Sequence, residues 1–287
     1  MTISSSIVYF TNSLSEFLGQ GEAYSCARIA VEKTTGITYN EIKTAGDVEL
    51  TTEQVNALDK IIRELKTGRP LQYILNEAWF CGLLFYVDDR VLIPRPETEE
   101  LVNIILKPYD FERPLRVLDI GTGSGCIPIA LAHHKPYWEF VAIDVSKDAL
   151  DVAVINARKH GVTIKFQLLD ILNESYTREF FANQKPFDII VSNPPYITLS
   201  EKKKLGANVL DFEPHTALFA HENDALIFYR RINELAGSLL KAGGQLYYEI
   251  NEFKGGEMMD LMKKHNFNEV ELINDINAKN RIIKAVK

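Results

Sequence analysis

The sequence predicts an α/β protein: a small helical bundle, then a β-hairpin, then a doubly wound sheet of seven strands. Three observations carry this expectation. From Arg113 onward, short apolar runs alternate with stretches of helical period, as a sheet built from parallel crossovers requires. One of these runs, residues 115–120, leads straight into the glycine-rich turn Gly121-Thr122-Gly123-Ser124-Gly125. Before residue 75, apolar positions recur at helical spacing instead.

Residues 1–75 are expected to form the helical domain. Its clearest helix starts at Thr51, with Gln54 three residues on as a capping box. Val55, Leu58, Ile61, Ile62 and Leu65 then share one face, and Gly68 ends the helix. Such a stripe is core rather than a cofactor box. Earlier helices are expected at residues 15–18, 23–35 and 39–43. Residues 76–95 are expected to be a hairpin linker, with strands around Phe80, 83–87 and 91–93 and a turn at Asp88-Asp89. Pro94-Arg95-Pro96 stops it, and a helix with acids in its first turn follows over 97–106.

Residues 96–287 form the third part, which carries the sheet. Its strands are expected at 115–120, 139–143, 163–168, 187–192, 245–250, 270–273 and 282–286, the last two as an antiparallel pair. Helices are expected at 124–133, 147–160, 225–240 and 253–264. Residues 198–224 show no clean period. A loop this long inside a compact domain is usually functional, and its position suits a cover over substrate.

Two motifs carry chemistry. The glycine turn brings backbone close to a ligand and opens a helix whose free N–H groups suit a polar or anionic group. Asp144 ends the next strand, 19 residues past Gly125, near the spacing at which an acid takes ribose hydroxyls. The glycines follow the pattern Gly-x-Gly-x-Gly with Asp119 two residues ahead, which suits S-adenosylmethionine better than a dinucleotide. The expected cofactor set is Asp119 for the ammonium, Gly121, Thr122, Gly123, Ser124 and Gly125 for the amino-acid part, and Asp144 for the ribose. Asp170 and Ile171 are placed to meet the adenine, with Asn193 beside the methyl.

The second motif is Asn193-Pro194-Pro195-Tyr196, directly after the apolar strand 187–192. Two prolines fix two φ angles and remove two donors, and the residue before a proline is held extended. The stiff turn presents acceptors, the Asn193 side-chain oxygen and the Pro194 carbonyl. These suit a planar NH2 group with two N–H bonds to satisfy. Asn193 and Pro194 are therefore the expected catalytic groups, with Pro195 and Tyr196 walling the substrate.

Together these segments resemble the HemK/PrmC family. The resemblance rests on Val91-Leu92-Ile93-Pro94-Arg95-Pro96-Glu97-Thr98-Glu99, on the Asp119–Gly125 turn and on Asn193–Tyr196. It extends upstream to Arg69–Leu75 and Phe80-x-Gly82. Downstream it includes Glu213-Pro214-x-x-Ala217-Leu218, Gly243-Gly244 and Glu249-Ile250. It implies an S-adenosylmethionine-dependent enzyme that methylates the glutamine amide nitrogen in the Gly-Gly-Gln motif of peptide-chain release factors, yielding S-adenosylhomocysteine. It also implies a Rossmann-like methyltransferase sheet, a helical domain that grips the release factor, and a substrate role for Arg95. Departures from the family pattern are Asn76 in place of glycine, His221–Leu226 in place of a Gly-Asp-Gly-Leu-like stretch, and Asn251 and Lys254 after Glu249-Ile250.

Composition is ordinary for a globular protein, with 46% apolar and 25% charged residues. A net charge of −7 argues against a nucleic-acid binder and suits a basic protein partner. Lys202-Lys203-Lys204 reads as a solvated loop. Cys26, Cys81 and Cys126, and histidines such as His133-His134 at a helix end, show no disulfide or metal spacing. No secretory signal or membrane span is expected, so the expectation is a cytoplasmic monomer. The main competing expectation is methylation of adenine N6 or cytosine N4 in DNA or RNA, since those enzymes share Asn-Pro-Pro-Tyr. A dehydrogenase is disfavoured by the glycine spacing, and a scaffold that has lost methyl transfer by the intact acceptor turn.

Overall fold

The computed structural model describes residues 1–108, 113–204, 206–220 and 224–287. The chain divides into two compact units, Met1–Glu77 with Gly206–Phe212, and Ala78–Leu205 with Glu213–Lys287. The hairpin thus groups with the second unit.

The first unit begins with α1 (Ile3–Leu18) and α2 (Gln20–Thr35), separated by Gly19. Helices α3 (Tyr39–Ala45), α4 (Thr52–Leu65) and α5 (Leu71–Leu75) follow. Thr51 caps α4 as the sequence implies: its side chain accepts from Gln54 N and its own N–H donates to the Gln54 side chain. Leu58, Ile61, Ile62 and Leu65 of α4 join Ile3, Phe10 and Leu14 of α1 and Ala27 and Val31 of α2 in one core. Helix α1 is far longer than the expected 15–18. Asn76 ends α5 in the left-handed region, φ 54°, which explains why asparagine can stand where glycine is usual.

In the second unit, β1 (Ala78–Phe80) and β2 (Leu83–Phe85) form an antiparallel hairpin. Its turn is Cys81-Gly82, not Asp88-Asp89 as expected. Both residues have positive φ, 49° and 72°, which a two-residue turn between right-twisted strands favours. Residues 91–93 are not a strand. Helix α6 (Pro96–Leu106) starts with proline at its first turn and precedes β3 (Arg116–Ile120). Then come α7 (Cys126–His134), β4 (Glu139–Asp144), α8 (Lys147–Lys159), β5 (Lys165–Leu168), α9 (Glu174–Phe181) and β6 (Phe187–Ser192).

Residues 198–224 are not structureless. A 3-10 helix (Leu199–Lys204), α10 (Ala207–Phe212) and α11 (His215–Leu218) lie within them. Residues 221–223 lie outside the described residues, so the departure at that position has no structural account. Lys202 and Lys203 are exposed. The chain closes with α12 (Ile227–Leu239), β7 (Leu240–Glu249), α13 (Gly255–Lys264), β8 (Asn268–Asn274) and β9 (Asn280–Val286).

The sheet has the order β5-β4-β3-β6-β7-β9-β8, with β9 antiparallel between β7 and β8 and the other pairs parallel. Both faces are covered. Leu118, Ile120, Val141, Ile190 and Leu246 share a core with Ile232 and Ala236 of α12 and Met258 and Met262 of α13. Alternate residues Val117, Ala142, Ile189 and Val191 turn to the other face and are equally buried. No helix of the described residues is long and apolar enough to cross a membrane. Replacing the cap of α4, Thr51→Ala, is expected to destabilise the first unit by about 1 kcal/mol, measured by urea unfolding.

Candidate active site

Strand order decides where the site forms. From β3 the chain adds β4 and β5 on one side, then returns to place β6 on the other, so the loops after β3 and β6 diverge at a topological switch point. Ile120 pairs with Ser192, and the residues just past them are Gly121 and Asn193. The Ser192 hydroxyl donates to the Ile120 carbonyl at 2.7 Å, joining the two strand ends.

The three glycines of the turn have different tasks. Gly121 (φ 75°) and Gly123 (φ 55°) have open space where a Cβ would stand. Gly125 does not: a Cβ there would meet Ile129 Cδ1 at 2.9 Å and Ala153 Cβ at 3.1 Å. Gly125 is thus a close-packing glycine between α7 and α8. It is not among the residues that line the cavity. Gly121 and Thr122 donate to the Ile143 carbonyl at 2.9 and 3.1 Å, and Gly123 to Asp144 Oδ2 at 2.8 Å. Asp144 therefore holds the turn as well as bordering the cavity. Burial raises its pKa, against the Ser146 and Gly123 N–H groups.

The cavity measures about 1060 Å³ with its open mouth. Gly121, Thr122, Gly123, Ser124, Asp144, Asp170, Ile171, Asn193, Pro194, Pro195, Arg95 and Thr98 all line it. Most of the residues that sequence reasoning singled out thus meet in one place. Asp119 does not reach the wall. It is fully buried, and both carboxylate oxygens and the nearby Thr122 hydroxyl lack hydrogen-bond partners. Burial pushes its pKa up to about 7. An orphaned carboxylate under an open glycine turn fits a ligand bearing a cation there.

Tyr196 also departs from expectation. It is not on the cavity wall but packs against the apolar core of the sheet, where burial raises its hydroxyl pKa. Tyr196 is half-buried, and its hydroxyl lies near Glu249, Arg281, Arg95 and Glu97.

Two acids that sequence reasoning left out of the site anchor it. Glu213, almost wholly buried, pairs with Arg95 at 2.6 Å and accepts from Ile93 N at 3.3 Å. This ties residues 93–95 to the segment before α11. Glu249, at the end of β7, accepts from the Thr98 hydroxyl at 2.5 Å, and Thr98 in turn accepts from Asn193 Nδ2 at 3.3 Å. The available signal was a carboxylate closing an apolar strand, Leu246-Tyr247-Tyr248-Glu249-Ile250. Among the described residues no three His, Cys, Asp or Glu side chains converge as metal ligands would.

Comparison with known proteins agrees with this geometry. Residues 112–285 match the methyltransferase domain family, and residues 9–75 match the PrmC N-terminal domain. The chain is 42% identical to the release factor glutamine methyltransferase of Flavobacterium psychrophilum, over 99% of both proteins. It is 39% identical to that of Bacteroides thetaiotaomicron, over 96% of this chain and 97% of the relative. Among solved structures, the fold is shared with the T. thermophilus 16S rRNA N2 G1207 methyltransferase. That match has TM-score 0.53 and 19% identity, over 74% of this chain and 49% of the other.

Asp119 gives a stability prediction. Its pKa in the folded protein lies above the ordinary carboxyl value, so the folded state holds the proton more tightly than the unfolded chain. Its contribution is present below about pH 4 and is lost as pH rises to about 7. Between pH 5 and 8 the ligand-free protein is expected to lose on the order of 2 kcal/mol through this group. Asp119→Asn should remove that loss, read by urea unfolding at both pH values. Equal losses in both proteins would show that Asp119 is already ionised and paired.

Proposed function

The chain belongs to the release factor glutamine methyltransferase family, and on that premise we propose that it methylates the side-chain amide nitrogen of glutamine in the Gly-Gly-Gln motif of peptide-chain release factors. The observation that carries this reading is one cavity walled by both the glycine turn and the Asn193–Pro195 corner.

The residues of the turn fit S-adenosylmethionine. The Thr122 hydroxyl on the wall, with the Asp119 carboxylate buried behind it, suits an ammonium, and Gly121 and Gly123 leave room for the amino-acid part. Asp144 would take the ribose hydroxyls, with Asp170 and Ile171 against the adenine. When bound, S-adenosylmethionine supplies an electrophilic methyl carbon on a sulfonium and leaves as S-adenosylhomocysteine.

The protein's task is the nucleophile. A carboxamide nitrogen shares its lone pair with its carbonyl and attacks poorly. Asn193 Oδ1 and the Pro194 carbonyl would accept its two N–H bonds, which concentrates electron density on nitrogen and fixes its direction. Positioning of this kind supplies about 7–11 kcal/mol of a barrier at best. Prolines at 194 and 195 bring no N–H that would compete for these acceptors. Arg95, fixed by Glu213, borders the same cavity and suits contact with the substrate backbone. The acidic chain, net charge −7, suits a basic protein substrate rather than nucleic acid. We assign the activity to a monomer in the cytoplasm.

Asn193→Ala is expected to lower turnover by about 100-fold or more while leaving cofactor affinity within about threefold. Labelled cofactor and release factor, with mass spectrometry to locate the methyl group, measure the first; calorimetry measures the second. Label on an oligonucleotide instead of the glutamine would overturn the assignment.

A further inference from the structure

An asparagine carboxamide has an acceptor end and a donor end of nearly equal size. The function proposed above, on which this inference rests, needs the oxygen of Asn193 turned to the substrate. Flipped, its NH2 would meet the substrate NH2, donor against donor.

We propose that Thr98 and Glu249 are positioning residues that set this orientation, the ionised Glu249 fixing the direction of a hydrogen-bond chain that ends at Asn193. Thr98 and Glu249 are 3% and 2% exposed, so water does not compete for either. A threonine hydroxyl has one proton. Glu249 as a carboxylate only accepts, so that proton is committed to Oε2 at 2.5 Å. Thr98 Oγ1 is then left as an acceptor. Asn193 meets it with Nδ2 at 3.3 Å, and Oδ1 is left for the cavity that Asn193 lines.

A protonated Glu249 loses this control. It can donate to Thr98, whose own proton is then free to turn toward Asn193. The reversed chain holds Oδ1 and sends the NH2 outward. The groups facing Glu249 are Arg281 on β9, Arg95 before α6, Glu97 on α6 and the hydroxyls of Tyr196, after β6, and Tyr229 on α12, together with Thr98. Burial raises its pKa most strongly, Thr98 and Arg281 oppose this, Glu97 adds to it and Arg95 opposes it, leaving it at about 7. Arg281 is itself paired with buried Asp275 at 3.1 Å, and the Tyr229 hydroxyl donates to the Glu249 carbonyl at 2.9 Å. The chain therefore changes direction close to neutral pH.

Two measurements test this, one of them independent of methyl transfer. In the ligand-free protein, the side-chain NH2 signals of Asn193, identified by their loss in Asn193→Ala, should shift as pH passes about 7. Thr98→Val and Glu249→Gln should abolish that shift. In release-factor methylation, Thr98→Val should lower kcat about tenfold or more, with KM for both substrates little changed. Thr98→Ser, which keeps the hydroxyl, should restore most of the rate. The wild-type kcat should fall below about pH 7, and this acid limb should be absent from Glu249→Gln. Thermal unfolding of each variant separates lost positioning from lost folding. A titrating Asn193 signal in a protein that labels no glutamine would overturn the proposed function and leave the positioning intact. An active protein whose Asn193 signals ignore pH, or whose Thr98→Val variant keeps full kcat, would overturn the positioning.

Discussion

The bond between the Ser192 hydroxyl and the Ile120 carbonyl, 2.7 Å long, sits where everything else about this site begins. It joins the carboxyl ends of β3 and β6, the two central parallel strands between which the winding direction reverses. With Ile120 and Ser192 in register, Gly121 and Asn193 leave the sheet side by side. One loop is a glycine turn with open space at Gly121 and Gly123, and the other is stripped of N–H groups by two prolines. A roomy glycine cradle and an acceptor-rich corner are thereby fixed next to each other by backbone pairing. A one-residue slip would turn every side chain of β6 to the opposite face.

Two buried acids flank this junction, and the fold treats them differently. Asp119 has only the Thr122 hydroxyl nearby, without a hydrogen bond of good geometry, and Glu249 has one strong donor in Thr98. Burial raises both to about 7. By the linkage argument, ionising either one lowers the stability of the ligand-free chain. Apolar residues of similar volume would avoid that cost. Their presence is best understood as stability given up for function: Asp119 keeps a negative charge where a cation is to bind, and Glu249 gives a hydrogen-bond chain its direction. Strain and unsatisfied polar groups gather where a ligand or a reaction will use them.

Much of this was legible in the sequence because the strongest signals are local. Strands buried on both faces read as unbroken apolar runs, so β3, β4 and β6 could be placed to within a residue or so. The capping box of α4 was equally plain, and α6 began one residue before its expected start, on Pro96. What failed was information held elsewhere in the chain. Helix α1 is dense in Ser, Thr and β-branched residues, and tertiary burial of Ile3, Ile7, Phe10 and Leu14 overrides that weak local propensity. The hairpin turned at Cys81-Gly82, a cysteine taking the positive φ that a two-residue turn requires but that sequence preferences give to Gly, Asn or Asp. Gly125 looked like its neighbours in sequence, and only Ala153, 28 positions away on α8, shows that it is there for packing. Glu213 and Glu249 were seen in sequence only as parts of motifs, and their partners lay out of reach for the same reason. Each acts on a residue more than a hundred positions upstream, Arg95 and Thr98.

The corner recognises a planar NH2 group, and a glutamine side chain and a nucleobase both carry one. Discrimination must then come from what surrounds it. Tyr196 does not line the cavity, and the wall beside the corner is formed by Pro195 and by Arg95 clamped to Glu213. A rigid proline and a guanidinium held by a buried carboxylate suit a narrow amide carried on a peptide backbone. The motif is shared with base-modifying enzymes, and it is this surrounding wall that favours glutamine.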